Sequence, residues 1–130
     1  MEQGAMNSYH STLLEEKSFI FALRIIKLSN YLKKEHQEYV LAKQVLRSGT
    51  AIGALIKESK YAQSKADFLH KQMIALKEAN ETEYWICLLK ESGYISSKMF
   101  QSIIPEMKEI LKLLVSSTKK SKSTLTQINP

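Results

Sequence analysis

The chain has 130 residues, 44% of them hydrophobic and 25% charged, which is the size of one domain and enough to bury a core without a disulfide or metal. A single cysteine, Cys87, excludes an intrachain disulfide framework and suits a reducing compartment; the longest apolar run, Tyr84 to Leu89, falls far short of the ~20 residues that a membrane-spanning helix needs. Lysine and arginine outnumber aspartate and glutamate by 19 to 13, a net charge of +6 that favours polyanionic partners.

The first 15 residues lack the basic start and apolar stretch of a signal peptide, so a cytoplasmic protein is expected. Residues 1–11 read as a flexible leader. Thr12 and Glu15 have the spacing of a capping box and predict a helix from about Leu13. Along it Leu14, Ser18, Phe21, Ile25, Leu28 and Leu32 recur at steps of four and three, the period of one buried helix face. Phe19, Leu23 and Ile26 lie well away from that face, and a bundle neighbour or another subunit is needed to cover them.

The cluster Lys33-Lys34-Glu35-His36 closes the first helix, and a second is predicted from about Tyr39 to Ser59. Its inner stripe is Leu41, Val45, Ser48, Ile52, Leu55 and Ser59. Gly49 and Gly53 sit one turn apart inside it, where each costs ~1 kcal/mol against alanine, so a neighbouring backbone is expected to approach closely there. Ser64, with Asp67 three residues on, predicts the start of a third helix that ends at Ser92-Gly93. Its stripe of Phe68, Ala75, Ala79, Thr82, Ile86 and Leu89 is opposed by Ile74, Trp85 and Leu88, as in a helix with more than one neighbour. A fourth helix from about Ser97 to Ser117 carries Ile103, Met107, Ile110, Leu111 and Leu114, with Pro105 expected to kink it. The Lys/Ser/Thr-rich residues 119–130 read as a disordered basic tail. Four helices of matching length with short connections predict an all-α fold, an antiparallel up-down four-helix bundle over residues 12–118.

Gln44-Val45-Leu46-Arg47-Ser48-Gly49-Thr50-Ala51-Ile52-Gly53-Ala54-Leu55-Ile56, then Glu58 and Ala62, Phe68, Ala75-Leu76-Lys77-Glu78-Ala79-Asn80-Glu81-Thr82-Glu83-Tyr84-Trp85, Leu88 and Gly93 form a long gapless pattern. It closely resembles that of the bacterial four-helix bundle proteins, also called the 23S rRNA intervening-sequence proteins. The resemblance spans about Phe19 to Leu114; Pro105, and Leu55 where asparagine is common, depart from the pattern. It implies a four-helix bundle that assembles as a ring-shaped homopentamer, without enzymatic activity. The related accessory variability determinant proteins of diversity-generating retroelements form basic barrels that bind nucleic acid and a reverse transcriptase.

Two basic stripes point the same way. Lys17, Arg24, Lys27 and Lys34 fall within about 100° of arc on the first helix, with Tyr31 among them. Lys43, Arg47 and Lys57 share a face of the second, with the small Thr50 and Ala54 between. Clustered cations bind phosphates and an interleaved aromatic ring stacks on an unpaired base, so Arg24, Lys27, Lys34, Lys43, Arg47 and Lys57 are the candidate nucleic-acid ligands. A solvated bundle face explains the same pattern, and Arg47 has a rival partner in Glu78 or Glu81 of the third helix, carboxylates costly to bury unpaired. A di-iron site needs two Glu-x-x-His pairs; Asp67-Phe68-Leu69-His70 is half of one, so neither metal nor cofactor is expected. Cys87, with no histidine nearby in sequence, reads as a small buried hydrophobe, and no phosphate-binding glycine loop occurs. The expected protein is a non-enzymatic ring that binds RNA or single-stranded nucleic acid, or else a scaffold that recruits a partner enzyme and whose charge is incidental.

Overall fold

Thr12 opens the first helix with both halves of the capping box: the Glu15 N–H donates to Thr12 Oγ1 at 3.1 Å, and the Thr12 N–H donates to Glu15 Oε1 at 2.9 Å. The computed structural model describes residues 12–128, and the predicted leader, residues 1–11, lies outside them. Four helices follow in order: α1 Leu13–His36, α2 Val40–Lys60, α3 Lys65–Glu91 and α4 Ser97–Ile128. They form an all-α four-helix bundle in which each helix packs on the next and α4 returns to α1 through the sparsest of the four seams. Connections this short force successive helices to run antiparallel.

Each helix end has a local cause. Gln37 adopts a left-handed conformation, φ 50°, and the Glu38 N–H reaches back to the Leu32 carbonyl at 3.1 Å, ending α1 without a glycine. Tyr39 offers α2 no side-chain cap, and Glu38 takes that role by accepting the Leu41 N–H at 2.8 Å. Ser64 Oγ accepts the Asp67 N–H at 3.0 Å to open α3, and Gly93, φ 86°, turns the chain after it.

The core follows the predicted faces. Leu14, Ser18, Phe21, Ile25, Leu28 and Leu32 of α1 are all buried, as are Ala75, Ala79, Thr82, Ile86 and Leu89 of α3. On α2 the buried face is rotated slightly from the predicted stripe: Ala42 and Ile56 are inside, while Leu41 and Leu55 are half-buried at its edge. A Cβ added at Gly53 would sit 3.4 Å from the Ser18 carbonyl oxygen, the expected approach of a backbone. At Gly49 it would meet the Ile25 side chain, with Cγ2 at 2.8 Å. Cys87, expected inside, is half-buried.

The fourth helix corrects the predicted disordered tail. α4 passes through Pro105 and continues to Ile128, ten residues beyond the expected edge of the bundle. Pro105 and Gln101, whose carbonyl the proline leaves without its helical donor, are both exposed, so water can satisfy the lost bond. Past Ser117 no glycine or proline interrupts until Pro130. Thr118 is buried, Ser121, Thr124 and Leu125 are half-buried, and the segment shares a small cleft with Lys65 and Phe68 at the start of α3. Composition alone reads as disorder; packing of one face against α3 keeps the helix formed.

Candidate nucleic-acid interface

The six cations singled out in the sequence divide into two groups. Arg24 leans across the α1–α4 seam: one guanidinium nitrogen donates to the Ser102 carbonyl at 2.9 Å and lies 3.0 Å from Glu106, while the other donates to Ser102 Oγ at 2.8 Å. Two turns earlier, Lys17 pairs with Glu109 at 3.1 Å in the same seam. Arg47 lies between two α3 carboxylates, 3.1 Å from Glu78 and hydrogen-bonded to Glu81. Both arginines of the chain therefore tie helices together.

Glu81 is the better-held of the two α3 acids. The indole N–H of Trp85 donates to it at 3.0 Å, and that bond, followed by the Arg47 guanidinium, holds its carboxyl below the ordinary carboxylate range. Arg47 in turn is pushed further up from its already high value, first by the hydrogen bond to Glu81. These contacts resolve the choice left open in the sequence: Arg47 pairs with both Glu78 and Glu81.

Lys27, Lys34, Lys43 and Lys57 form the second group. All four are exposed, and among the described residues none has a carboxylate partner; Lys57 stands 5.9 Å from the centre of the Tyr61 ring. Lys27 and Lys34 lie on α1, and Lys43 and Lys57 mark the two ends of α2, fourteen residues or about 21 Å apart along it.

Folding adds a residue that the stripes do not contain. Lys98, in the first turn of α4, joins Arg24, Lys27 and Tyr31 around a cleft of about 450 Å³ whose other walls include Leu28, Ile95, Met99, Ser102 and Ile103. Nothing in the sequence except its charge marks Lys98, because only the return of α4 beside α1 brings positions 27 and 98 together. Tyr31 stands edge-on to His36 with ring centres 5.5 Å apart, and His36 stands edge-on to Tyr94 at 5.3 Å. The Glu38 carboxylate beside it holds the Tyr94 hydroxyl above the ordinary tyrosine range.

A further face of α1 points away from the core. Phe19, Ile20, Leu23 and Ile26 are 47%, 46%, 48% and 41% exposed, a continuous apolar strip on one helix. Tyr84 on α3 is also exposed. Among the described residues no three His, Cys, Asp or Glu side chains converge as a metal cage would require, and no helix is long and apolar enough to cross a membrane.

Comparison with known proteins agrees with this architecture. No curated protein matches the chain. A crystal structure of a protein with unknown function from the S23 ribosomal protein family of Bacteroides thetaiotaomicron is 51% identical, with a TM-score of 0.81, and the match covers 82% of this chain and 99% of that one. The pattern of the 23S rRNA-intervening sequence protein matches residues 13–116, from the first residue of α1 nearly to the predicted edge of the bundle. With the family pattern running over residues 13–116 and 51% of the aligned residues shared with a solved relative, the chain belongs to the 23S rRNA-intervening sequence protein family.

Proposed function

We propose that the protein is a non-enzymatic, cytoplasmic assembly module: copies associate through the outward strip of α1 into a ring-shaped homo-oligomer, and the ring binds RNA or single-stranded nucleic acid through lysines. The family resemblance implies five copies. One observation carries the reading. α1 bears an apolar strip left exposed by its own bundle and, on the same helix, Lys27 and Lys34, exposed and without carboxylate partners among the described residues. A strip of this kind marks an association surface, and lysines not engaged within the chain remain available to phosphates. Repetition around a ring multiplies weak contacts into useful affinity. Arg24 and Arg47 drop out as principal phosphate ligands because carboxylates already occupy them; Lys27, Lys34, Lys43 and Lys57 remain.

Fluorescence anisotropy with a labelled single-stranded RNA, repeated over a range of salt concentrations, tests the reading. Binding is expected at low salt and to weaken as salt rises, with a log–log slope near −0.7 per phosphate contact. Lys27→Ala/Lys34→Ala and Lys43→Ala/Lys57→Ala should each flatten that slope. A wild-type protein that binds no RNA at low salt would leave the alternative, a scaffold whose α1 strip recruits a partner enzyme.

A further inference from the structure

The cleft between α1 and the start of α4 has an apolar floor and a cationic rim. Leu28, Ile95 and Ile103 are buried beneath it and Met99 is half-buried. Above them Lys27 and Lys98 are exposed, with no carboxylate partner among the described residues. Arg24 is a fixed wall, held by Ser102 and Glu106. The first turn of α4, where Ser96 Oγ accepts the Met99 N–H at 3.1 Å, adds the positive end of a helix to the same rim. Tyr31 forms the remaining wall, and its contact with His36, itself against Tyr94, limits the freedom its ring has left to lose when a planar group arrives.

This combination selects among anions. A wholly charged acidic peptide would leave the apolar floor uncovered, and a fatty acid would bring one negative charge to a rim with two free lysines. A nucleotide supplies both parts, a flat base and a phosphate. The cleft volume of about 450 Å³ lies within the range of small-ligand sites. A base paired and stacked in a duplex cannot enter such a cleft, whereas an unpaired one can. We infer that the α1–α4 cleft receives one nucleotide of a single strand, its base against Tyr31 and the apolar floor and its phosphate between Lys27 and Lys98. The inference rests on the nucleic-acid reading above and assigns the place where a base is gripped. The centre of the cleft lies ~80° around α1 from Leu23, on the side of α4, while Lys27 of its rim stands ~40° from Leu23, at the border of the apolar strip.

The test compares two probes of equal length and charge, a labelled single-stranded RNA and its fully abasic counterpart, by anisotropy with the full-length protein. The wild type should prefer the RNA. Tyr31→Leu should weaken RNA binding roughly 5- to 100-fold and leave the abasic strand's affinity unchanged, while Tyr31→Phe, which keeps the ring, binds as the wild type does. Lys27→Glu/Lys98→Glu changes only exposed side chains and should weaken both probes, which keeps the cleft testable if Tyr31→Leu does not fold. Equal binding of both probes by the wild type, with no effect of the cleft variants, overturns the inference and leaves nucleic-acid binding by the other lysines standing. An acidic peptide that competes with the RNA and loses affinity with Tyr31→Leu overturns it in favour of protein recognition. If the wild type binds neither strand at low salt, the reading beneath it fails first and this one with it.

Discussion

At position 47 the chain turns a surface charge to its own use. Arg47 is close to half exposed, yet Glu78, with a side chain only 15% exposed, depends on it for a counter-charge. Arg47→Ala should therefore lower stability by about 1 kcal/mol in thermal denaturation, the upper end for a surface-accessible pair. Its partner Glu81 sets a pH dependence. Because folding lowers the Glu81 carboxyl pKa, the stability it contributes is complete above the unfolded-state value of ~4.3 and is lost as pH falls through the folded value. Denaturation followed by Trp85 fluorescence, the chain's one tryptophan, should show stability falling as the pH drops below ~4.3, and less steeply in Glu81→Gln. Gly49 gives a prediction of opposite kind. Alanine there gains ~1 kcal/mol of helix propensity. Its Cβ would also lie 2.8 Å from Cγ2 of Ile25, a fully buried and stiff β-branched side chain. Gly49→Ala should thus lower the melting temperature in the wild type and raise it in an Ile25→Ala background, a sign inversion that a double-mutant cycle reads directly. At this scale the sequence was only half legible: helical spacing marks Arg47 and Gly49 as unusual, but which atoms stand opposite depends on the rotation of a neighbouring helix.

Among the elements, the starts and the buried faces of α1 and α3 could be read in advance, whereas the rotation of α2 and the end of α4 could not. Thr12 with Glu15 and Ser64 with Asp67 carry their capping chemistry within four residues, and the faces of α1 and α3 repeat over many turns, so local sequence determines both. α4 differs after Ser117. Its last residues have the composition of a disordered tail, while the half-buried Ser121, Thr124 and Leu125 lie on one side of a helix beside the start of α3. The family pattern ends at residue 116, before the added turns, so the bundle is expected to fold without them. Truncation after Thr118 should therefore leave a cooperative thermal transition, shifted by only a few degrees. It should also remove the 222 nm ellipticity of about ten helical residues per chain. A truncated protein with the full-length molar ellipticity would mean that residues 119–128 are unstructured in solution. The same cut removes Lys119, Lys120 and Lys122 and should reduce affinity for single-stranded RNA at low salt.

For the whole molecule the decisive feature is the mismatch between what the bundle covers and what α1 presents. A helix with a bundle on one side ordinarily shows polar residues on the other. α1 instead carries Phe19, Ile20, Leu23 and Ile26 at 41–48% exposure. The sequence announced this strip by its spacing but left two coverings open, a second bundle neighbour or another subunit, and the packing of α1 on α2 and α4 leaves it uncovered within the chain. If copies of the chain cover it, multi-angle light scattering at micromolar concentration should report about 75 kDa for five chains of 14.9 kDa. Leu23→Glu then places a carboxylate in the middle of the strip, where association would bury it without a partner. Since Leu23 is 48% exposed in the single chain, the variant should keep the helical spectrum of the wild type. Its mass should fall to that of one chain, and its melting temperature should no longer rise with protein concentration. A wild type of about 15 kDa at micromolar concentration would exclude the ring. A Leu23→Glu variant that still sediments with the wild type would place the association surface elsewhere on the bundle.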